Sequence, residues 1–324
     1  VRTTRRAIAG LAALTALVAL SACSDDSDDS GSSADRKAGA TNAPGVPGGD
    51  KGASANAKAL PAAASGATFV ALGDSYAAGV KIPVIVPAAP PGCSRSESNY
   101  AHLVARQHNI TGFVDATCGG ARTPDMTAGQ QTQGSPPPQF DALRPDTALV
   151  TLGIGGNDIG FSEIVTTCVI QSRSTTSTQP CTDKYTAGGN DELAKRIAET
   201  GPKIAATIAG IKERSPKARI LVVGYPTILP ESGPTCPAQV PVAEGDLPYL
   251  RKVVPALNDM LAKEAAKQGA EYVDTYAGSA GHDVCRPAGT KWVEGIKPEA
   301  PAAPVHPNAL GQEGMAKAVL AKLG

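Results

Sequence analysis

Five short β-rich runs recur along the chain from residue 67: ATFVALGD (67–74), TGFVDATC (111–118), TALVTLGIGG (147–156), ARILVVGYP (218–226) and AEYVDTY (270–276). Runs this apolar predict strands covered on both faces. Between the fourth and fifth, Leu247, Leu250, Val254, Leu257 and Leu261 recur at spacings of three and four. That period predicts a helix with one buried stripe. Another helical pattern covers about 191–213, and Gly201-Pro202 is expected to kink or divide it. The chain closes with a helix through Met315, Val319 and Leu323. Alternation of this kind predicts one α/β domain with a mainly parallel sheet. Right-handed crossovers then place helices on both of its sides.

The first 65 residues follow a different pattern. VRTTRRAIAGLAALTALVALSAC carries Arg2, Arg5 and Arg6, then an apolar run from Ala7 to Ala22. The run is shorter than the roughly 20 apolar residues that span a bilayer as a helix, and it has the anatomy of an export signal. Its end, LSAC (Leu20–Cys23), resembles a bacterial lipobox, in which cleavage leaves a lipid-modified Cys23 at the new N-terminus. Arg5-Arg6 also fits a twin-arginine signal, though a lone pair is a weak pointer. Residues 24–65 are low-complexity Ser, Asp, Gly, Ala and Pro, too polar to offset their ordering entropy. As a flexible tether they would hold the domain some 35–40 Å from its anchor. The expected organisation is therefore a lipoprotein signal peptide over 1–22, lipidated Cys23 and tether over 23–65, and a folded domain over 66–324. The expected location is the outer face of the cell membrane, or the medium if released.

Charge and cysteine content narrow the function. Lys+Arg 30 balances Asp+Glu 30, so nothing favours a nucleic-acid partner. With Cys23 assigned to lipid, six cysteines remain, at 93, 118, 168, 181, 236 and 285. An even set suits an exported domain, but six cysteines allow 15 pairings. No CxxC or Cys/His cluster suggests zinc, and no metal or cofactor is implied.

Chemistry gathers at the carboxyl ends of the strands, where open parallel sheets bind ligands. Ser75 follows the first strand, CGGART (118–123) the second and GGND (155–158) the third. VHPNALG (305–311) lies near the end of the long loop after the fifth. Four distant segments thus converge on one rim, each with a part that acyl transfer needs. A serine hydroxyl is a poor nucleophile until a base takes its proton. Of the four histidines, His102 and His108 fall in a helical pattern and His282 in a polar loop. His306 is anchored by Pro307, and Asn308 can cap the last helix; it is the expected base. The Ser75 N–H, the Gly120 N–H and the Asn157 side-chain amide are candidate oxyanion donors. Asp74 and Asp158 are expected to hydrogen-bond the rim loops.

GDSY, the glycine of CGGA, GGND and the HPN before a C-terminal helix resemble the four blocks of the SGNH, or GDSL-type, hydrolases, in order over about 67–324. The likeness is greatest to the secreted actinobacterial lipases and esterases. It implies a flavodoxin-like, three-layer α/β/α fold with a five-stranded parallel sheet of order 2-1-3-4-5. It implies Ser75 as nucleophile, His306 as base, and Gly120 and Asn157 beside the Ser75 amide in an oxyanion hole. It also implies the disulfides Cys93–Cys118, Cys168–Cys181 and Cys236–Cys285. Ser75 is not in G-x-S-x-G, because the last position is Ala77, which weighs against the unrelated α/β-hydrolase elbow.

One departure stands out. The family commonly has Asp three residues before the histidine, where this chain has Ala303. A backbone carbonyl near Ala303 or Pro304 is the expected orienter of His306, with a carboxylate such as Asp283 or Glu299 the alternative. The expected activity is an extracellular serine esterase or lipase acting as a monomer on carboxylic, preferably lipid, esters. The competing readings are a carbohydrate O-deacetylase and a tethered binding lipoprotein without turnover. Specificity is expected in the loops at 80–100, 123–140, 160–190 and 277–304.

Overall fold

A computed structural model describes residues 68–324; the expected signal peptide, Cys23 and the whole of the expected tether lie outside the described residues. Five parallel strands form one sheet: β1 (Thr68–Gly73), β2 (Gly112–Asp115), β3 (Thr147–Gly153), β4 (Arg219–Val223) and β5 (Glu271–Val273). Their order is β2-β1-β3-β4-β5, as the resemblance implied. Among the described residues, eight α-helices accompany them: α1 (Ser75–Ala78), α2 (Tyr100–Gln107), α3 (Phe161–Ser174), α4 (Pro180–Tyr185), α5 (Glu192–Arg214), α6 (Leu247–Leu250), α7 (Val253–Lys267) and α8 (Ala309–Leu323).

The strand period of two separates two cores. Val70, Leu72, Val150, Leu152, Ile220 and Val222 pack with residues of α3, α5 and α7. Phe69, Ala71, Leu149, Leu221 and Val223 pack with residues of α2 and α8 on the other face. The strands are shorter than their apolar runs, and the edge strand β2 is only half-buried, since no strand covers its outer side. Among the described residues, no helix is long and apolar enough to cross a membrane.

Three helical regions differ from expectation. Residues 160–190, expected as a loop, carry α3 and α4, whose Ile164, Cys168, Cys181 and Tyr185 join the core. Gly201-Pro202 does not divide α5, which runs unbroken through it. Pro202 lies on the exposed face, while Ile197, Gly201, Ile204 and Ile208 are buried on the other. Packing of that stripe holds the helix together across the missing N–H. The stripe from Leu247 to Leu261, in contrast, is shared by α6 and α7. Pro255 explains the break. It has no N–H to donate back to residue 251, and its ring would crowd that carbonyl, but it is tolerated in the first turn of a new helix.

Three disulfides join Cys93–Cys118, Cys168–Cys181 and Cys236–Cys285. The first ties the loop after α1 to the loop after β2, and the second ties α3 to α4. The third links two long loops on the rim side of β4 and β5.

Candidate active site

The turn after β1 is built for close approach. A Cβ on Gly73 would lie 2.4 Å from the Gly153 carbonyl, so glycine lets β1 and β3 end side by side. The Gln139 side chain brackets Gly73, accepting from its N–H at 2.7 Å and donating to its carbonyl at 2.9 Å. Asp74 N–H bonds Gly153 O at 2.9 Å, and Cys118 N–H bonds Gly73 O at 3.0 Å. The next residue is Ser75, the first of α1, half-buried at the sheet edge.

Asp74 caps that helix. Its carboxylate accepts from Tyr76 N–H at 2.9 Å and from the Tyr225 hydroxyl at 2.6 Å. The Tyr225 oxygen in turn accepts from Gly156 N–H at 2.8 Å. One phenol therefore joins the serine turn to the loop after β3. Burial pushes the Asp74 carboxyl up to about 7, with the Tyr225 and Tyr76 hydrogen bonds pulling the other way. Asp158 performs a similar tie, accepting from the N–H and hydroxyl of Thr123 in the loop after β2. Both aspartates thus bond rim loops.

His306 arrives on a segment that pairs with residues 292–295. Glu294 N–H bonds His306 O, Val305 N–H bonds Gly295 O, and Asn308 N–H bonds Trp292 O. The Asn308 side chain caps α8 by accepting from Gly311 N–H at 3.0 Å, and its amide donates to Glu294 and to Lys291 O. Val305 has φ 59°, a strained value for a β-branched residue. Its carbonyl is held by the Tyr76 hydroxyl at 2.6 Å. Gln312 completes the frame, accepting from Tyr100 N–H and donating to Tyr76 O.

His306 Nε2 lies 2.7 Å from Ser75 Oγ, across 231 positions of sequence. Nδ1 lies 2.8 Å from the carbonyl of Pro304. A carbonyl only accepts, so Nδ1 carries the proton and Nε2 is left as the acceptor for the serine hydroxyl. Burial lowers the His306 pKa; the Pro304 carbonyl opposes that, and the positive charge of Lys81 adds to it. The imidazole is therefore neutral at pH 7.

The orienting carbonyl belongs to Pro304, not to Ala303. The Ala303 carbonyl accepts the backbone N–H of His306 at 3.2 Å instead, closing the turn that presents the ring. The carboxylate alternatives are engaged elsewhere. Asp283 bonds Cys285 N–H and Arg286. Glu299 bonds Lys291 and Gln239. His282 is also distant from this chemistry in role: it stacks on Trp292, and its Nδ1 meets Thr290 O. His102 sits 3.4 Å from Asp115, and His108 ends α2.

Ser75, Asn157 and His306 line one pocket, with Tyr76, Phe161, Ile228 and Val254 among its apolar walls. Asn157 Nδ2 donates to Ala121 O at 2.9 Å, which fixes the amide plane and leaves its second hydrogen free for a ligand. Gly120, at φ +77°, does not line that pocket; it follows Gly119, whose N–H bonds Cys93 O and whose carbonyl accepts from Gln130. Among the described residues, no group of three or more His, Cys, Asp or Glu could hold a metal ion. The sequence reading passed over Tyr76, Gln139, Tyr225 and Gln312. Only Tyr76 had a pointer, its place directly after the serine.

The arrangement is a serine–imidazole pair with an amide donor opposite, a constellation suited to acyl transfer. Comparison with known proteins agrees. The sequence profile described as the GDSL-like Lipase/Acylhydrolase family matches residues 71–313. Lipase 2 of Streptomyces coelicolor is 41% identical over 276 residues, covering 83% of this chain and 90% of that protein. The crystal structure of phospholipase A1 from Streptomyces albidoflavus NA297 is similar with a TM-score of 0.65 at 29% identity, covering 79% of this chain and 99% of that one. That of an extracellular lipase from Streptomyces rimosus is similar at the same TM-score and 27% identity, covering 79% of this chain and 100% of that one.

Proposed function

The chain belongs to the GDSL-like lipase/acylhydrolase family and is a carboxylic ester hydrolase; from that premise we propose that it cleaves lipid acyl esters through an acyl-enzyme on Ser75. The observation that carries this reading is the 2.7 Å contact between Ser75 Oγ and His306 Nε2, with Nδ1 already satisfied by Pro304 O. His306 takes the hydroxyl proton as Oγ attacks the ester carbonyl. The oxyanion rests on the Ser75 N–H and the Asn157 amide; the family resemblance adds the Gly120 N–H, from the loop after β2 beyond that pocket's lining, as a third donor. The imidazolium then protonates the leaving alkoxide. A water, deprotonated by His306, clears the acyl group and restores the serine.

The alternative of a binding lipoprotein without turnover rested on the missing carboxylate at 303. A neutral carbonyl fixes the same tautomer and ring direction, although it stabilises the imidazolium less than a carboxylate does. The apolar walls of the pocket favour lipid esters over acetylated sugars. Residues 1–23 further support export and lipidation at Cys23. A fluorophosphonate probe tests the chemistry: it is expected to label the wild type and not Ser75→Ala. Labelling that survives Ser75→Ala would overturn the assignment. Cys23→Ser is expected to move the protein from the detergent phase to the aqueous phase; equal partitioning would rule out the anchor.

A further inference from the structure

Two apolar tracks leave the catalytic pocket, and they share walls on α3 and at Ile296 and Val305. An inner cavity meets the pocket at Phe161, Ile228 and Val254. An outer groove meets it at Phe161, Ser162 and His306. Along α3, Val165 and Val169 face both tracks; Ile164 and Cys168 face only the inner one, and Thr166 and Ile170 only the outer. Helix α3 is thus apolar well beyond the stripe it needs for the core. Ile170 stands 55% exposed at the lip of the groove.

The polar donors of Arg251, Thr227 and Gln239 in the inner cavity are turned to other uses. Arg251 donates to Pro230 O and Gly233 O, Thr227 to Leu229 O, and Gln239 to Glu299. Gln239 Oε1 is buried without a partner and Tyr276 carries a hydroxyl; beyond these groups the lining is hydrocarbon, suited to a hydrocarbon chain.

The chemistry decides which half of an ester enters which track. His306 must hand its proton to the leaving oxygen, so the alcohol half lies against the imidazole. The outer groove is the track lined by His306 itself, beside Pro304 and Val305. The inner cavity shares Ile296 and Val305 with the groove but has no wall from His306 or Pro304.

We infer that the acyl chain enters the inner cavity through the neck of Phe161, Ile228 and Val254, while the chain of the alcohol lies in the outer groove. The enzyme therefore selects esters that are apolar on both sides of the scissile bond. This rests on the Ser75–His306 reading and adds a direction to it.

Two substrate series test the assignment by kcat/KM. One is p-nitrophenyl esters from acetate to decanoate; the other is n-alkyl acetates from methyl to octyl. In the wild type each methylene buried in the inner cavity is expected to raise kcat/KM by up to about fourfold, and each one half-covered in the open groove by about twofold. Val254→Phe narrows the neck and is expected to flatten the acyl series while the slope of the alcohol series persists. Val240→Phe, on a loop wall of the same cavity, gives the same result without touching the neck. Ile170→Glu is expected to flatten the alcohol series alone. An acyl slope lost in Ile170→Glu, or an alcohol slope lost in both inner variants, would overturn the assignment. So would a wild type that hydrolyses acetate with two flat series, and then the esterase reading would stand. A wild type that turns over neither acetate would sink both.

Discussion

Asp74 offers the sharpest test of the electrostatics beneath Ser75, the proposed nucleophile. It is 1% exposed, and burial pushes its carboxyl from 3.8 to about 7. A raised value means that the folded state holds the proton more tightly than the unfolded chain does. Between about pH 4 and 7 the unfolded chain is ionised while the folded site remains largely protonated. The stability this group contributes is complete below pH 3.8 and is lost as pH rises through 7. At 1.36 kcal/mol per pH unit, the gap from 3.8 to about 7 is worth about 4 kcal/mol. Asp74→Asn removes the titration. Its amide oxygen can still accept from Tyr76 N–H, but it cannot also receive the Tyr225 hydroxyl. That lost bond costs about 1–3 kcal/mol at every pH, so it shifts the comparison without tilting it. Urea unfolding of both proteins from pH 4 to 8 isolates the effect. The variant is expected to gain on the wild type by nearly 1.4 kcal/mol per pH unit up to about pH 7, then to level off. A difference that is flat with pH would refute the reasoning. A variant that loses ground as pH rises would reverse it, because the fold would then be stabilising the carboxylate.

Three further outcomes are expected. The acid limb of kcat/KM on an uncharged ester should fall below pH 6.5, because burial lowers the His306 pKa and the base works neutral; the same limb in Asp74→Asn assigns it to the imidazole, and a midpoint above 6.5 contradicts it. Lys291→Met should cost about 3–5 kcal/mol in urea unfolding, because Glu294, fully buried, loses its cation at 3.2 Å; Lys291→Met with Glu294→Gln should recover most of it, and no recovery would show that the charge is not the cause. Pro202→Ala should stabilise the fold by about 1–3 kcal/mol by restoring an N–H to α5; a lower midpoint of thermal unfolding would show that the ring itself supports the helix.

The contrast between Pro202 and Pro255 shows where local rules decide. Both prolines remove a donor, yet only one marks a boundary. Pro255 sits where the chain gains by starting a fresh first turn, so the rule acts unopposed and splits α6 from α7. Pro202 sits opposite a stripe of four isoleucines at 197, 204, 208 and 211, each buried. The packing of that face outweighs one missing bond. Apolar period thus located every strand and the helices α5, α7 and α8, because each of those elements answers to its own residues; it missed α3 and α4, which lie in the stretch 160–190 expected as a loop. It misjudged the breaks, because a break is a contest between local geometry and a surface contributed by other elements.

The same distinction governs what could be read of the site. Ser75 and His306 were legible because each sits in a short motif with its own local requirement: a glycine that lets two strand ends touch, and an asparagine that caps the following helix. Tyr225, Gln139 and Gln312 carry no such local trace. Each is one polar residue whose partner lies 66 to 236 positions away, and only the folded sheet edge brings the two together. Ala303 is the most instructive case. A search by residue type finds no carboxylate there and infers a missing part. The part is present as the Pro304 backbone, which any residue at 304 could supply in kind. What the sequence must specify is the turn that aims it, through the positive φ of Val305, the Ala303 carbonyl on His306 N–H, and the Tyr76 hydroxyl on Val305 O. On the proposed mechanism, function at this site depends less on which side chain stands before the histidine than on the contacts that hold its loop, and those contacts reach back to Tyr76, next to Ser75.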